Sequence, residues 1–189
     1  MSLHASGSQT VGPFFSIGLS PRYTHVVAGP ETPGEHVTIR GRVLDADGNP
    51  VPDAMIETWQ ADASGAYASA GDAQATPAAP AFLGFGRAPT DKRGEFRLTT
   101  IKPGRVPGPG DSLQAPHLVV LVFMRGLLRH LVTRMYFPAE PGNDTDPILL
   151  LIPAERRETL IATPARDEPG ALIWDIRLQG EDETVFFDM

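Results

Sequence analysis

The sequence predicts an all-β protein, an antiparallel β-sandwich over residues 36–189 with an irregular N-terminal arm over residues 1–35. Three observations predict it. Apolar side chains recur at every second position in short runs, as Val37, Ile39 and Val43 do, the period of a strand with one face turned to a core. The runs are separated by 19 glycines and 19 prolines among 189 residues, a density that suits strands joined by turns rather than long helices. Hydrophobic residues make up 41% of the chain, enough for one core and, at this length, one domain rather than two.

The arm holds Gly12-Pro13, Ser20-Pro21, Gly29-Pro30 and Thr32-Pro33, and each proline pushes the residue before it away from helix. Such a segment builds no core, so it must lie on its own sandwich or on another chain. Residues 36–44 form the first strand. Asp45 through Pro50 supply turn chemistry, and 54–60 return, closed by Ser64-Gly65. Residues 68–93, rich in Ala, Pro and Gly, read as a long excursion. Alternation resumes over 94–101 with Phe96, Leu98 and Thr100, and 102–116 is again Pro/Gly loop. Residues 117–125 are nearly all apolar, the pattern of a central strand buried on both sides. They form a hairpin with 131–137 across Gly126. Residues 148–152, 159–163, 171–178 and 183–187 complete the strands, with one helical turn at 155–158. At least seven strands at this spacing make an Ig-like sandwich, with no helix longer than about three turns.

The formal net charge is −7 and no Lys/Arg run is present, which argues against a nucleic-acid partner. Cysteine is absent, excluding disulfides, thiolate metal sites and thiol nucleophiles. Met1 to Thr10 show no signal-peptide pattern. The longest apolar stretch, 118–124, is too short to span a bilayer. A soluble cytoplasmic protein is the expectation. The five histidines, His4, His25, His36, His117 and His130, fall into no pattern that would converge two imidazoles on one ion. His117, directly after Pro116, reads as structural, and His130 as solvated. Ser69 and Ser112 lie in Pro/Gly loops without a companion base, and the glycines of Gly84-Phe85-Gly86 lead into loop rather than into a phosphate-cradling helix. The residues alone offer no self-sufficient active site.

Several stretches resemble the intradiol ring-cleavage dioxygenases. They include Ser8-Gln9-Thr10-Val11-Gly12-Pro13-Phe14, Ile56-Glu57-Thr58-Trp59-Gln60-Ala61-Asp62, Thr100-Ile101-Lys102-Pro103-Gly104, Ala115-Pro116-His117 and Thr133-Arg134-Met135-Tyr136-Phe137. Arg156 to Ala162 and Ile176 to Phe187 extend the match through the tail, in order, over nearly the whole chain. The iron-bearing chains of that family hold Fe(III) with two tyrosinates and two histidines, a set suited to a ferric ion. Where those chains show Arg-Pro-x-His-x-His, this sequence has Ala115-Pro116-His117-Leu118-Val119. Where they place a tyrosine after Lys-Pro-Gly, it has Arg105-Val106-Pro107, and the region between Ala68 and Lys92 holds no tyrosine.

The resemblance therefore implies an α-type subunit without its own complete iron site: no metal in this chain, His117 retained at a ligand-like position, and Fe(3+) held by a homologous β subunit in a hetero-oligomer. The implied activity is the O2-dependent opening of 3,4-dihydroxybenzoate between its hydroxyls. The implied wall around the substrate comprises Thr10, Gly12, Pro13, Phe14 and Arg125, with Tyr67 and the tryptophans Trp59 and Trp174 as candidate interface or core groups. For the arm, the alternative is a segment that merely wraps the sandwich; for Arg125 and Tyr67, a solvated charge and an exposed turn aromatic. Two other functions stay open on the residues alone: a non-enzymatic transthyretin-like or carbohydrate-binding sandwich, and a homomeric dioxygenase.

Overall fold

The computed structural model describes residues 6–67, 82 and 84–188, so His4, Ser69 and much of the 68–93 excursion lie outside the described residues. Eleven short strands are present among the described residues: β1 (His36–Leu44), β2 (Met55–Trp59), β3 (Phe85–Pro89), β4 (Glu95–Ile101), β5 (Val106–Pro107), β6 (Leu113–Gln114), β7 (His117–Phe123), β8 (Leu131–Tyr136), β9 (Thr163–Pro164), β10 (Ala171–Ile173) and β11 (Ile176–Arg177). One sheet is antiparallel throughout, in the order β3-β2-β7-β8. The facing sheet is mixed. β1 pairs antiparallel with β4 along its length, but parallel with β10 and β11. Between the sheets Ile39, Ile56, Leu98, Leu118, Met135 and Ile176 are almost fully excluded from solvent. Each such side chain contributes about 1.5–3 kcal/mol on burial.

Several segments differ from expectation, each for a local reason. The 171–178 run breaks into two strands because the Asp175 carboxylate, in place of a ladder carbonyl, accepts the Arg42 N–H at 2.9 Å. The Trp174 N–H donates to the Arg40 carbonyl at 3.0 Å. Opposite that break only glycine fits: a Cβ at Gly41 would lie 1.8 Å from the Trp174 carbonyl oxygen. Residues 148–152 are not a strand but a 3-10 turn, Leu149–Leu151, because the Asp146 carboxylate takes the N–H groups of Ile148 and Leu149. The helical turn expected at 155–158 extends to Ala154–Leu160, which removes Thr159 from the strand expected at 159–163. Residues 183–187 form no strand; they join the sheets by one bridge, Phe187 to Val132, and by scattered hydrogen bonds of Thr184 and Val185. β3, inside the expected excursion, is an additional strand. β7 is central as expected, yet its outward face is buried only at His117; Val119, Leu121 and Phe123 on that face are half-buried.

The arm is irregular except for helix α1 (Phe14–Leu19) and a 3-10 turn, Ser20–Arg22. Beyond them it lies on its own sandwich. Thr24 exchanges two backbone hydrogen bonds with Arg87 on β3, and Val27 and Thr99 on β4 are joined at 2.7 Å. One strip of arm thus ties an edge of each sheet together.

Candidate functional site

The outward face of the antiparallel sheet carries two separate clusters, one at each end of β7. Register places His117 opposite Tyr136 and Val119 opposite Arg134. His117 is buried, its Nδ1–H donating to the Ala115 carbonyl at 2.7 Å. Burial pushes its pKa below the ordinary imidazole value, so the ring stays neutral with Nε2 unprotonated. The Tyr136 hydroxyl donates to Asp146 at 3.1 Å, and burial raises that phenol far above its usual range. Asp146, fully buried, also accepts the Ala115 N–H at 2.7 Å. Arg134 donates to Gln114 at 2.7 Å. Tyr67, 42% exposed, has its phenol pushed up by burial against the opposing charge of Arg134, which places it on this side.

The second cluster lies past the other end of β7. The Thr10 hydroxyl accepts the Gly126 N–H at 2.7 Å, across 116 residues of sequence. Phe15 packs on Phe123 at 6.1 Å between ring centroids, and Phe123 packs on His130 at 5.2 Å. Arg125, beside the pinned Gly126, reaches Asp53 at 3.3 Å. Gly12 is exposed, with open space where a Cβ would stand. Pro13 caps α1, and Phe14 projects with 82% of its surface exposed. The structure thus brings Thr10 together with the turn that carries Arg125, and sets Gly12, Pro13 and Phe14 on the same stretch of arm. Tyr67 and His117 belong to the other cluster. Eight residues separate His117 from Arg125, roughly 25 Å at about 3.3 Å per residue.

The His117 end does not fit a ferric ion of the kind held by the family's iron-bearing chains. A ferric site wants anionic oxygens beside imidazole. Here a single imidazole stands alone, the phenol of Tyr136 is committed to Asp146, and valines occupy 106 and 119. Among the described residues no group of three or more His, Cys, Asp or Glu is placed to hold a metal ion. Sequence reasoning did not pick out Asp146, Arg134 or Asp53. The only signals were an aspartate before Pro147, which favours local backbone capping, and the continuation of the β2–β7 register past its last pair.

A family profile described as Dioxygenase matches residues 12–180. The protocatechuate 3,4-dioxygenase alpha chain of Burkholderia cepacia is 44% identical over 100% of this chain and 99% of its own length. That of Pseudomonas putida is 43% identical over 96% and 94%. The beta chain of the Burkholderia cepacia enzyme is 39% identical over 85% of this chain and 71% of its own. Among solved structures, the dioxygenase domain of a dioxygenase–carbohydrate-binding fusion from Streptomyces sp. SirexAA-E superposes with a TM-score of 0.64 at 29% identity, covering 85% of this chain and 88% of that one.

Proposed function

The chain belongs to the intradiol dioxygenase family, and we propose that it is the iron-free α subunit of a protocatechuate 3,4-dioxygenase, working in the cytoplasm with a homologous β subunit that holds Fe(3+). The reaction opens 3,4-dihydroxybenzoate to 3-carboxy-cis,cis-muconate. The ring bond between the two hydroxyl-bearing carbons breaks, and each of those carbons becomes a carboxyl group with one atom of O2. The iron supplies that chemistry in the partner, and no step of it runs through this chain.

The observation that carries this reading is the lone His117, bonded into its own backbone with valines at the companion positions. The distance between the two clusters supports a shared site. Arg125 and the arm lie too far from His117 to line a pocket there, so a site built from them needs iron from a second chain. In that site Thr10 fixes the arm to the Arg125 turn, and Gly12 lets backbone approach the ring closely. Pro13 and Phe14 exclude water, and Arg125 attracts the substrate carboxylate. Exposed Phe14, Ile17, Trp59 and Tyr67 supply apolar surface for an obligate interface of about 2,000 Å² or more.

Expression with and without the β-type partner, followed by iron analysis and O2 uptake on 3,4-dihydroxybenzoate, tests the assignment. The assembled pair is expected to hold iron and turn over substrate, and this chain alone to do neither. Stoichiometric iron in the chain alone, lost on His117→Ala, would overturn it.

A further inference from the structure

We propose that Asp53 is a counter-charge that competes with the carboxylate of substrate and product for Arg125, and so sets how tightly a carboxylated ring is held. The inference rests on the placement of Arg125 at the substrate and adds a residue to that site.

The pairing is built into the sheet. The β2–β7 ladder ends with Met55 opposite Phe123. Continuing that antiparallel register by two places sets Ala54 opposite Met124 and Asp53 opposite Arg125. Arg125 Nη2 lies 3.3 Å from Asp53 Oδ2, and both side chains are more than half exposed. No other carboxylate among the described residues is in ion-pair reach of Arg125. The next residue is pinned by Thr10, whose hydroxyl accepts the Gly126 N–H. The guanidinium therefore projects from an anchored turn toward one loosely paired carboxylate that an incoming anion can displace.

Nothing in the turn requires that carboxylate. Asp53 follows Pro52 with a φ of 60°, the third position of a turn where glycine and asparagine are at least as comfortable as aspartate. It makes no hydrogen bond to local backbone, unlike Asp45, Asp62 and Asp91. What it does contact is Arg125. The chemistry gives such a contact a purpose. Ring opening turns a substrate with one carboxylate into a product with three, and an arginine without a counter-charge would hold that product most strongly after turnover.

The test uses the assembled enzyme with Asp53→Asn, and Asp53→Gly as a second variant that suits the same backbone. Both are expected to lower KM for 3,4-dihydroxybenzoate about two- to five-fold, the range of an exposed ion pair, and to strengthen inhibition by the ring-opened product by at least the same factor. Affinity for catechol, which lacks the carboxylate, should stay at the parent value. The KM ratio should shrink toward one in about 0.5 M salt, where exposed charges are screened. Arg125→Ala should raise KM, and adding Asp53→Asn to it should change nothing further. If Arg125→Ala leaves KM unaltered, Arg125 is not at the substrate and the inference falls with that placement. If Arg125→Ala raises KM but Asp53→Asn leaves it unchanged or higher, or shifts catechol equally, only the role of Asp53 is refuted.

Discussion

Replacing Asp146 with alanine tests whether the old ligand end of the sheet survives as pure structure. The carboxylate is fully buried and accepts four hydrogen bonds, from the N–H groups of Ala115, Ile148 and Leu149 and from the Tyr136 hydroxyl. Alanine leaves all four donors without a partner, at about 1–3 kcal/mol each. Water entering the vacated space satisfies some of those donors. With about two of the four donors left dry, the net loss is about 3–5 kcal/mol, in the upper range for single substitutions. For a chain of this size each kcal/mol moves the melting point by about 2–4 °C, so Asp146→Ala should melt about 6–20 °C below the parent. Calorimetry of the assembled protein at fixed concentration measures it. Asp146→Asn retains one acceptor oxygen but turns an NH2 toward donors, and should fall between the two. KM of the folded variant should hold, since Arg125 lies at the other end of β7. A melting point within about 2 °C of the parent would refute the hub assigned to Asp146.

Two further outcomes separate fold from function. Gly12→Leu should leave the thermal stability of the chain unchanged, because a Cβ there meets nothing within 4 Å, while turnover of the assembled enzyme drops sharply; equal turnover would remove Gly12 from the substrate wall. His117 should make stability depend on pH. Its folded pKa lies below the unfolded value of 6.5, so below about pH 6.5 the unfolded chain takes up the proton first, and stability falls as the pH drops through that value. Urea midpoints between about pH 7.5 and 5 should show this slope in the parent and lose it in His117→Gln; the same slope in both would assign it elsewhere.

The alternating strands β1, β2, β4, β7 and β8 were legible because one face of each meets the core. β3 was not, since Gly86 and Ala88 are too small to make an apolar rhythm. Their size has a packing reason: a Cβ at Gly86 would lie 2.6 Å from both Thr58 Oγ1 and Val27 Cγ2, where β3 runs beneath the arm. The 3-10 turn at 149–151 was misread because a leucine run carries no trace of the Asp146 capping that shapes it. The missing iron ligands were legible as valines at 106 and 119. Convergence of Thr10 with the Arg125 turn was legible only through the resemblance, because no local pattern encodes a hydrogen bond across 116 residues.

The parallel pairing of β1 with β10 and β11 has a consequence for synthesis on the ribosome. β1 ends at residue 44, and its β4 neighbour is complete at residue 101, but its other edge is not fully paired until residue 177 has been made. At about 5–20 residues per second, those last 76 residues take roughly 4–15 s. Throughout that interval the nascent chain presents an unpaired strand edge with apolar Val37, Ile39 and Val43 beside it, the condition in which strands join the wrong chain. Arg40 and Arg42 lack for the same seconds the Asp167 and Asp175 partners of the finished protein. Two nascent copies side by side on one message would repel there, which keeps the edge open for the chain's own C-terminal strands.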